Sequence, residues 1–181
     1  VIEGTLDIAR IESGKLTLDV KAMNLPDLLQ QIVGMFELQA RNKGLGFVYQ
    51  AHDDIPAFVR ADERRVRQIL INVIGNAVKF TVRGKVSLGV GYRRDMATFE
   101  IRDTGPGIPA EDMARIFEPF ARGSTVQAGG SGVGLTIARM LTNLMGGELE
   151  LSSTPGEGAS FRIRLFLPAV HSAQAELNRP R

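Results

Sequence analysis

Asn72 and Asn76 stand four residues apart in a stretch of helical period, and Lys79 follows three residues later, so all three project from one helical stripe. Two amide oxygens and an ammonium suit a magnesium-bound triphosphate. Two glycine-rich turns come after that helix, Asp103-Thr-Gly-Pro-Gly107 and Gly130-Ser-Gly-Val-Gly134-Leu135. In the first, glycine permits backbone angles and a close approach that side chains would block, so a flat ring can lie against it. A buried carboxylate at Asp103 accepting from an exocyclic amine would select adenine, because guanine presents a carbonyl oxygen at that place. The same five residues also suit a surface turn with an Asx contact. In the second, amides ahead of a helix can hold phosphate oxygens. Glycine linkers before helices share that pattern. The stretch before Gly130 is no strand, which argues against a dinucleotide fingerprint, and no lysine follows the last glycine, which argues against a Walker loop. The stripe Gln68, Asn72, Asn76, Lys79 suits the wet side of an ordinary amphipathic helix as well. Phe80 and Phe120 read as core residues that can also stack a ring.

The elements that must carry these residues alternate between helical and extended patterns. Residues 1–13 are loosely helical, with Ile2, Leu6, Ile8 and Ile11, and Gly14 stops them. Such a beginning looks like the tail of a longer helix. Alternation of Leu16, Leu18 and Val20 predicts a strand over Lys15 to Lys21. Pro26 opens a helix to about Arg41, whose buried side is Leu28, Leu29, Ile32, Val33, Phe36 and Leu38. A strand is predicted at Gly46 to Gln50. Asp62 caps the next helix, with Val66, Ile69, Leu70, Val73, Ile74 and Ala77 facing the core. Lys85 to Arg93 and Ala97 to Arg102 read as an antiparallel hairpin turning at Arg94-Asp95, and the second strand delivers Asp103. Arg122 to Gly132 is small and polar, without hydrophobic period. Leu135 to Met145 is helical, and strands at Glu148 to Ser152 and Ala159 to Leu167 close the domain. Helices interleaved with hairpins predict a two-layer α/β sandwich on a mixed sheet.

Composition sets ordinary bounds. At 181 residues and 44% hydrophobic content, one good core is within reach, and two domains of normal size are not. A net charge of +2, with basic residues scattered among acidic ones, does not imply nucleic acid. Without cysteine there is no disulfide framework and no thiolate metal site. No apolar run approaches a membrane span, so no membrane contact is expected of this piece and the cytoplasm is the default compartment; a longer parent anchored in an inner membrane is compatible with both.

Taken together, the motifs resemble those of the ATP-binding domain of sensor histidine kinases, in the superfamily shared with gyrase, the Hsp90 chaperones and the MutL repair proteins. Arg67 to Thr81, containing Asn72, Asn76, Lys79 and Phe80, is similar to that family's asparagine box. Asp103 to Pro109 is similar to its first glycine box, Phe117-Glu-Pro-Phe120 to its phenylalanine box, Gly130 to Leu135 to its second glycine box, and Thr154 to Phe161 to its closing motif. Five boxes in order weigh more than any one. Ile8 to Leu16 resembles the junction at which a dimerisation helix hands over to the catalytic domain.

The resemblance implies a Bergerat fold, a mixed sheet of about five strands covered on one face by three helices. It implies ATP and magnesium as ligands, with Asn76 coordinating the metal, Asn72 assisting, Lys79 contacting phosphate and Asp103 reading adenine. Phe80, Gly105, Gly107, Ile108, Phe120, Gly130, Ser131, Gly132, Val133, Gly134, Leu135 and Ser160 would complete the nucleotide pocket, with Arg122 to Gly132 as its lid. The division expected is residues 1–14 as the end of the dimerisation helix, 15–168 as the catalytic domain and 169–181 as tail or linker. Partners would be the kinase's own dimerisation domain, which carries the acceptor histidine, and a response regulator receiver domain. His52 and His171 lack the family's acceptor surroundings and read as surface residues. An amide at position 72, where the chaperones and topoisomerases carry a glutamate, cannot activate water, which points to a kinase with slow hydrolysis. The alternatives are a regulatory ATP-binding module or pseudokinase acting through protein contacts, and an anti-sigma type serine kinase, whose acidic residue in the asparagine box is absent.

Overall fold

The computed structural model describes residues 8–105, 107, 110–113, 116–117, 134–154 and 156–170. Helical residues 8–12 form α1, and Ile8 is buried in the core. Residues 15–20 run without ladder pairing. The strand expected there begins only at its far end, as β1 (Lys21–Asn24), because its partner β3 (Phe58–Ala61) is four residues long and meets residues 21–24 alone. β3 itself is too short to show a strand period in the sequence. Leu16 is nonetheless buried and Leu18 packs against the core, so the alternation reports burial without a strand.

Helix α2 (Leu25–Asn42) starts where Asn24 Oδ1 accepts from Asp27 N at 3.0 Å, with Pro26 in the first turn. It ends in a Schellman motif: Gly44, at φ +77°, donates to Arg41 O at 3.0 Å, and Leu45 N donates to Ala40 O at 2.8 Å. Its buried side is Leu25, Leu28, Leu29, Ile32, Phe36 and Ala40. Leu38, expected inside, is 58% exposed because its angular position on the helix lies outside that stripe.

Edge strand β2 (Gly46–Ala51) leads through β3 into α3 (Glu63–Phe80), capped by the buried Asp62, whose Oδ1 accepts from Arg65 N at 3.3 Å. Asp62 Oδ2 also accepts from Asp19 N at 2.9 Å, so one carboxylate ties the segment after α1 to the start of α3. Gly75 within α3 faces Phe36 of α2, and a methyl there would meet the ring at 3.8 Å, an ordinary contact.

Strands β4 (Lys85–Arg93) and β5 (Met96–Asp103) form the expected hairpin. Arg94 and Asp95 hold φ of 51° and 67°, the left-handed pair a two-residue primed turn requires. A short α4 (Ala110–Met113) precedes α5 (Gly134–Leu144), β6 (Glu148–Thr154) and β7 (Gly158–Phe166). The five-stranded sheet runs β2-β4-β5-β7-β6, parallel only between β2 and β4, and is therefore mixed, as expected. On one face α2 lies over β2, α3 over β4 and β5, and α5 over β6 and β7. Val86, Leu88, Val90, Phe99, Ile101, Ile163 and Leu165 supply the core beneath them.

Candidate functional site

Asp103 closes β5 in register with Val86, so its side chain belongs to the helix-covered face. Its Oδ1 accepts from Gly105 N at 2.9 Å and from Ala159 N at 3.2 Å. Burial pushes this carboxyl above its ordinary value, and the two backbone donors pull the other way. The turn geometry needs glycine at named places. Gly107 has φ +76°, and a Cβ there would lie 2.6 Å from Thr154 O. Gly158 has φ +104°, and its Cβ would run into the carbonyl oxygen of Asp103 itself.

Gln68, Asn72, Asn76, Lys79 and Phe80 are all half-buried on α3. Asn72 Nδ2 donates to Gly134 O at 3.0 Å, which fastens α3 to the first residue of α5 and sets Oδ1 as the amide's acceptor end. Lys79 Nζ sits 5.4 Å from the Phe80 ring centroid. Thr81 ends α3, donating its Oγ1 to Ala77 O at 2.7 Å. A Cβ on Gly105 would touch Thr81 Oγ1 at 3.5 Å, so the end of the asparagine helix adjoins the Asp103 turn.

Phe117 joins the same region. Thr136 Oγ1 donates to Phe117 O at 2.6 Å, the Arg139 guanidinium lies 4.6 Å over the Phe117 ring, and that ring meets Phe161 edge-on at 6.4 Å. Leu135 is buried at the start of α5. Ser160 is a correction. It shares a register row with Arg102 and Ser152, alternating with the helix-side Phe161, so its side chain belongs to the uncovered face. The site gains the backbone N–H of Ala159 instead. His52 also lies away from the α3 stripe, with its Nε2 against Gly89 on that uncovered face. Ile108, Phe120, Gly130, Ser131, Gly132, Val133, the expected lid and His171 lie outside the described residues. Sequence reasoning missed Lys43, whose ammonium reaches the end of α3, because no local pattern links positions 35 or more apart.

A strand-end aspartate held by backbone amides, beside a helix of half-buried amides on a mixed sheet, is the architecture of the Bergerat class of α/β sandwiches. The chain belongs to that class by sequence as well: residues 61–169 match the family of histidine kinase-, DNA gyrase B-, and HSP90-like ATPases, and it is a member of that family. Sensor protein GacS of Pseudomonas syringae pv. syringae is 36% identical over 189 residues, spanning 99% of this chain and 21% of the relative. The circadian input-output histidine kinase CikA of Synechococcus elongatus is 38% identical over 169 residues, 90% of this chain and 22% of the relative. The chain thus spans only 21% and 22% of these curated relatives. Full-length ShkA in complex with AMPPNP superposes with a TM-score of 0.82 at 33% identity, over 94% of this chain and 36% of that one. The nucleotide-free catalytic domain of histidine kinase ThkA gives 0.70 at 25% identity, over 84% and 99%.

Proposed function

We propose that this chain is the ATP-binding catalytic domain of a sensor histidine kinase, which transfers the γ-phosphoryl of ATP to a histidine on a dimerisation domain. The observation that carries it is Asp103. Two backbone N–H groups hold Oδ1, so Oδ2 is the acceptor that reads the exocyclic amine of adenine. Guanine offers no donor at that position, and the half-buried acid would go unpaired.

Asn72, Asn76 and Lys79 face the phosphates, Phe80 and Leu135 flank the nucleotide, and Gly105, Gly107 and Gly134 let it approach the backbone. Ile108, Phe120 and Gly130 to Val133 complete the pocket. Ser160 is left out. The donor set fits magnesium: its amides are hard oxygen ligands, and the Nδ2 of Asn72 is engaged by Gly134, which keeps the oxygen for a cation. Among the described residues no three His, Cys, Asp or Glu side chains converge, so Asn76 and Asn72 would share the ion with water and with the phosphates themselves. When bound, magnesium offsets charge on the transferring phosphoryl group. Lys79 adds a positive charge, and the amide of Asn72 orients without removing a proton. Hydrolysis is therefore slow. Transfer depends on positioning, and the proposed acceptor is the histidine of the dimerisation domain; His52 lies across the sheet.

α1 supports reading residues 1–14 as the end of the dimerisation helix, with residues 15–168 as the catalytic domain and 169–181 as tail or linker. A receiver domain is the proposed downstream partner, as ThkA is seen with response regulator TrrA. The domain works in the cytoplasm; among the described residues no helix is long and apolar enough to cross a membrane.

Calorimetric titration tests the reading. Magnesium-ATP is expected to bind at micromolar Kd with GTP silent, Asp103→Ala abolishing binding and Asn76→Asp altering its metal dependence. A folded wild-type chain that ignores ATP overturns the proposal.

A further inference from the structure

Lys43 is the C-cap residue of α2, and its backbone N–H closes that helix onto Gln39 and Ala40. Its side chain does something else. Nζ donates to Val78 O at 2.7 Å, Lys79 O at 2.8 Å and Thr81 O at 3.0 Å. The last carbonyls of a helix have no partner within it, and a cation there also meets the negative end of the helix dipole. Ala77 O is already taken by Thr81 N and Oγ1, at 3.1 and 2.7 Å. An ammonium has three N–H donors, and here each meets one carbonyl around the point where α3 becomes extended. α2 and α3 are thus clamped end to end by one atom of a residue 36 positions from Lys79.

We infer that Lys43 is a positioning residue for the phosphate end of the nucleotide site, acting through Lys79. This rests on the proposed ATP reading. Lys43 holds the carbonyl of the residue whose ammonium faces phosphate, at a helix terminus that would otherwise fray. It touches no nucleotide, because its three donors are spent on backbone. A small rotation of the last turn of α3 would move the Lys79 ammonium by far more than its backbone, since a long side chain amplifies the change.

A double-mutant cycle decides it, with affinity for magnesium-ATP and for AMP measured on wild type, Lys43→Met, Lys79→Met and the double variant, each checked for folding by its thermal midpoint. Methionine keeps the aliphatic stem and removes the three donors. Lys43→Met is expected to weaken magnesium-ATP about tenfold, leave AMP within about twofold, and add nothing in the Lys79→Met background. Lys43→Arg, which keeps the charge but offers a planar fork in place of three converging donors, is expected to fall between wild type and Lys43→Met, and it replaces the methionine in the cycle should that variant not fold. Additive losses, an equal loss for AMP, or wild-type affinity in Lys43→Met overturns the assignment while leaving the ATP site intact. A wild-type chain that binds no magnesium-ATP overturns the ATP reading and this inference with it.

Discussion

Asp103 is costly to the fold and valuable to the proposed site. Burial raises its pKa above the ordinary 3.8, so the folded chain holds that proton more tightly than the unfolded one. Stability then falls as pH rises from 3.8 through the folded value, and above that the ionised group carries a constant penalty. Asparagine keeps an acceptor for Gly105 N and Ala159 N without the charge. Asp103→Asn is therefore expected to raise the thermal midpoint of the nucleotide-free chain at pH 7, with the gain shrinking as pH falls toward 3.8, while ATP affinity drops at least tenfold, or about 1.4 kcal/mol. A midpoint below wild type at pH 7 contradicts this. Such a residue was legible in the sequence because its chemistry is local: a strand, an acid and two glycines in five positions. The Asn72, Asn76 and Lys79 stripe was legible for the same reason, since helical period alone puts the three together. Ser160 was not, because its side is set by the register of β7 against β5, which no local pattern shows.

Among the elements, the hairpin and the long amphipathic helices announced themselves by period and by the Arg94-Asp95 turn, and the failures share a cause. β3 is four residues after a proline, and its pairing with β1 and with the chain near Ala169 comes from distant sequence. Arg60 N donates to Pro168 O at 2.9 Å and Val170 N to Phe58 O at 2.9 Å, so β3 binds both β1 and residues 168–170. Tyr92 fastens the hairpin to the neighbouring Leu167. Its hydroxyl donates to Leu167 O at 2.7 Å and lies 3.2 Å from Asp95 Oδ1. Burial first, then the charge and hydrogen bond of Asp95, push its pKa up to about 12 from 10.0. The stability tied to that proton is complete below pH 10 and is lost as pH rises through about 12. Tyr92→Phe is expected to lose about 1 kcal/mol at pH 8 in denaturant unfolding, and to show a flatter decline between pH 10 and 12 than wild type. An alkaline decline as steep as that of wild type would show that other groups govern it.

In the whole molecule, the sheet has two unlike faces. One is covered by α2, α3 and α5 and holds the proposed nucleotide site. The other is polar, with Glu100 bridging Arg102 at 3.2 Å and Arg162 at 2.9 Å, and His52 lies on it. His52 therefore lies on the opposite face of the sheet from the proposed nucleotide site. Asp62 ties both the segment after α1 and the start of α3 to one buried carboxylate. The proposed kinase activity is tested most directly by incubating a chain that also carries a dimerisation domain with ATP radiolabelled on the γ-phosphate. The expected product is a phosphoryl group that is acid-labile and base-stable, carried on a histidine of that domain and lost in Asn76→Asp. Tight ATP binding without such a label, or a label that survives acid, would contradict that activity.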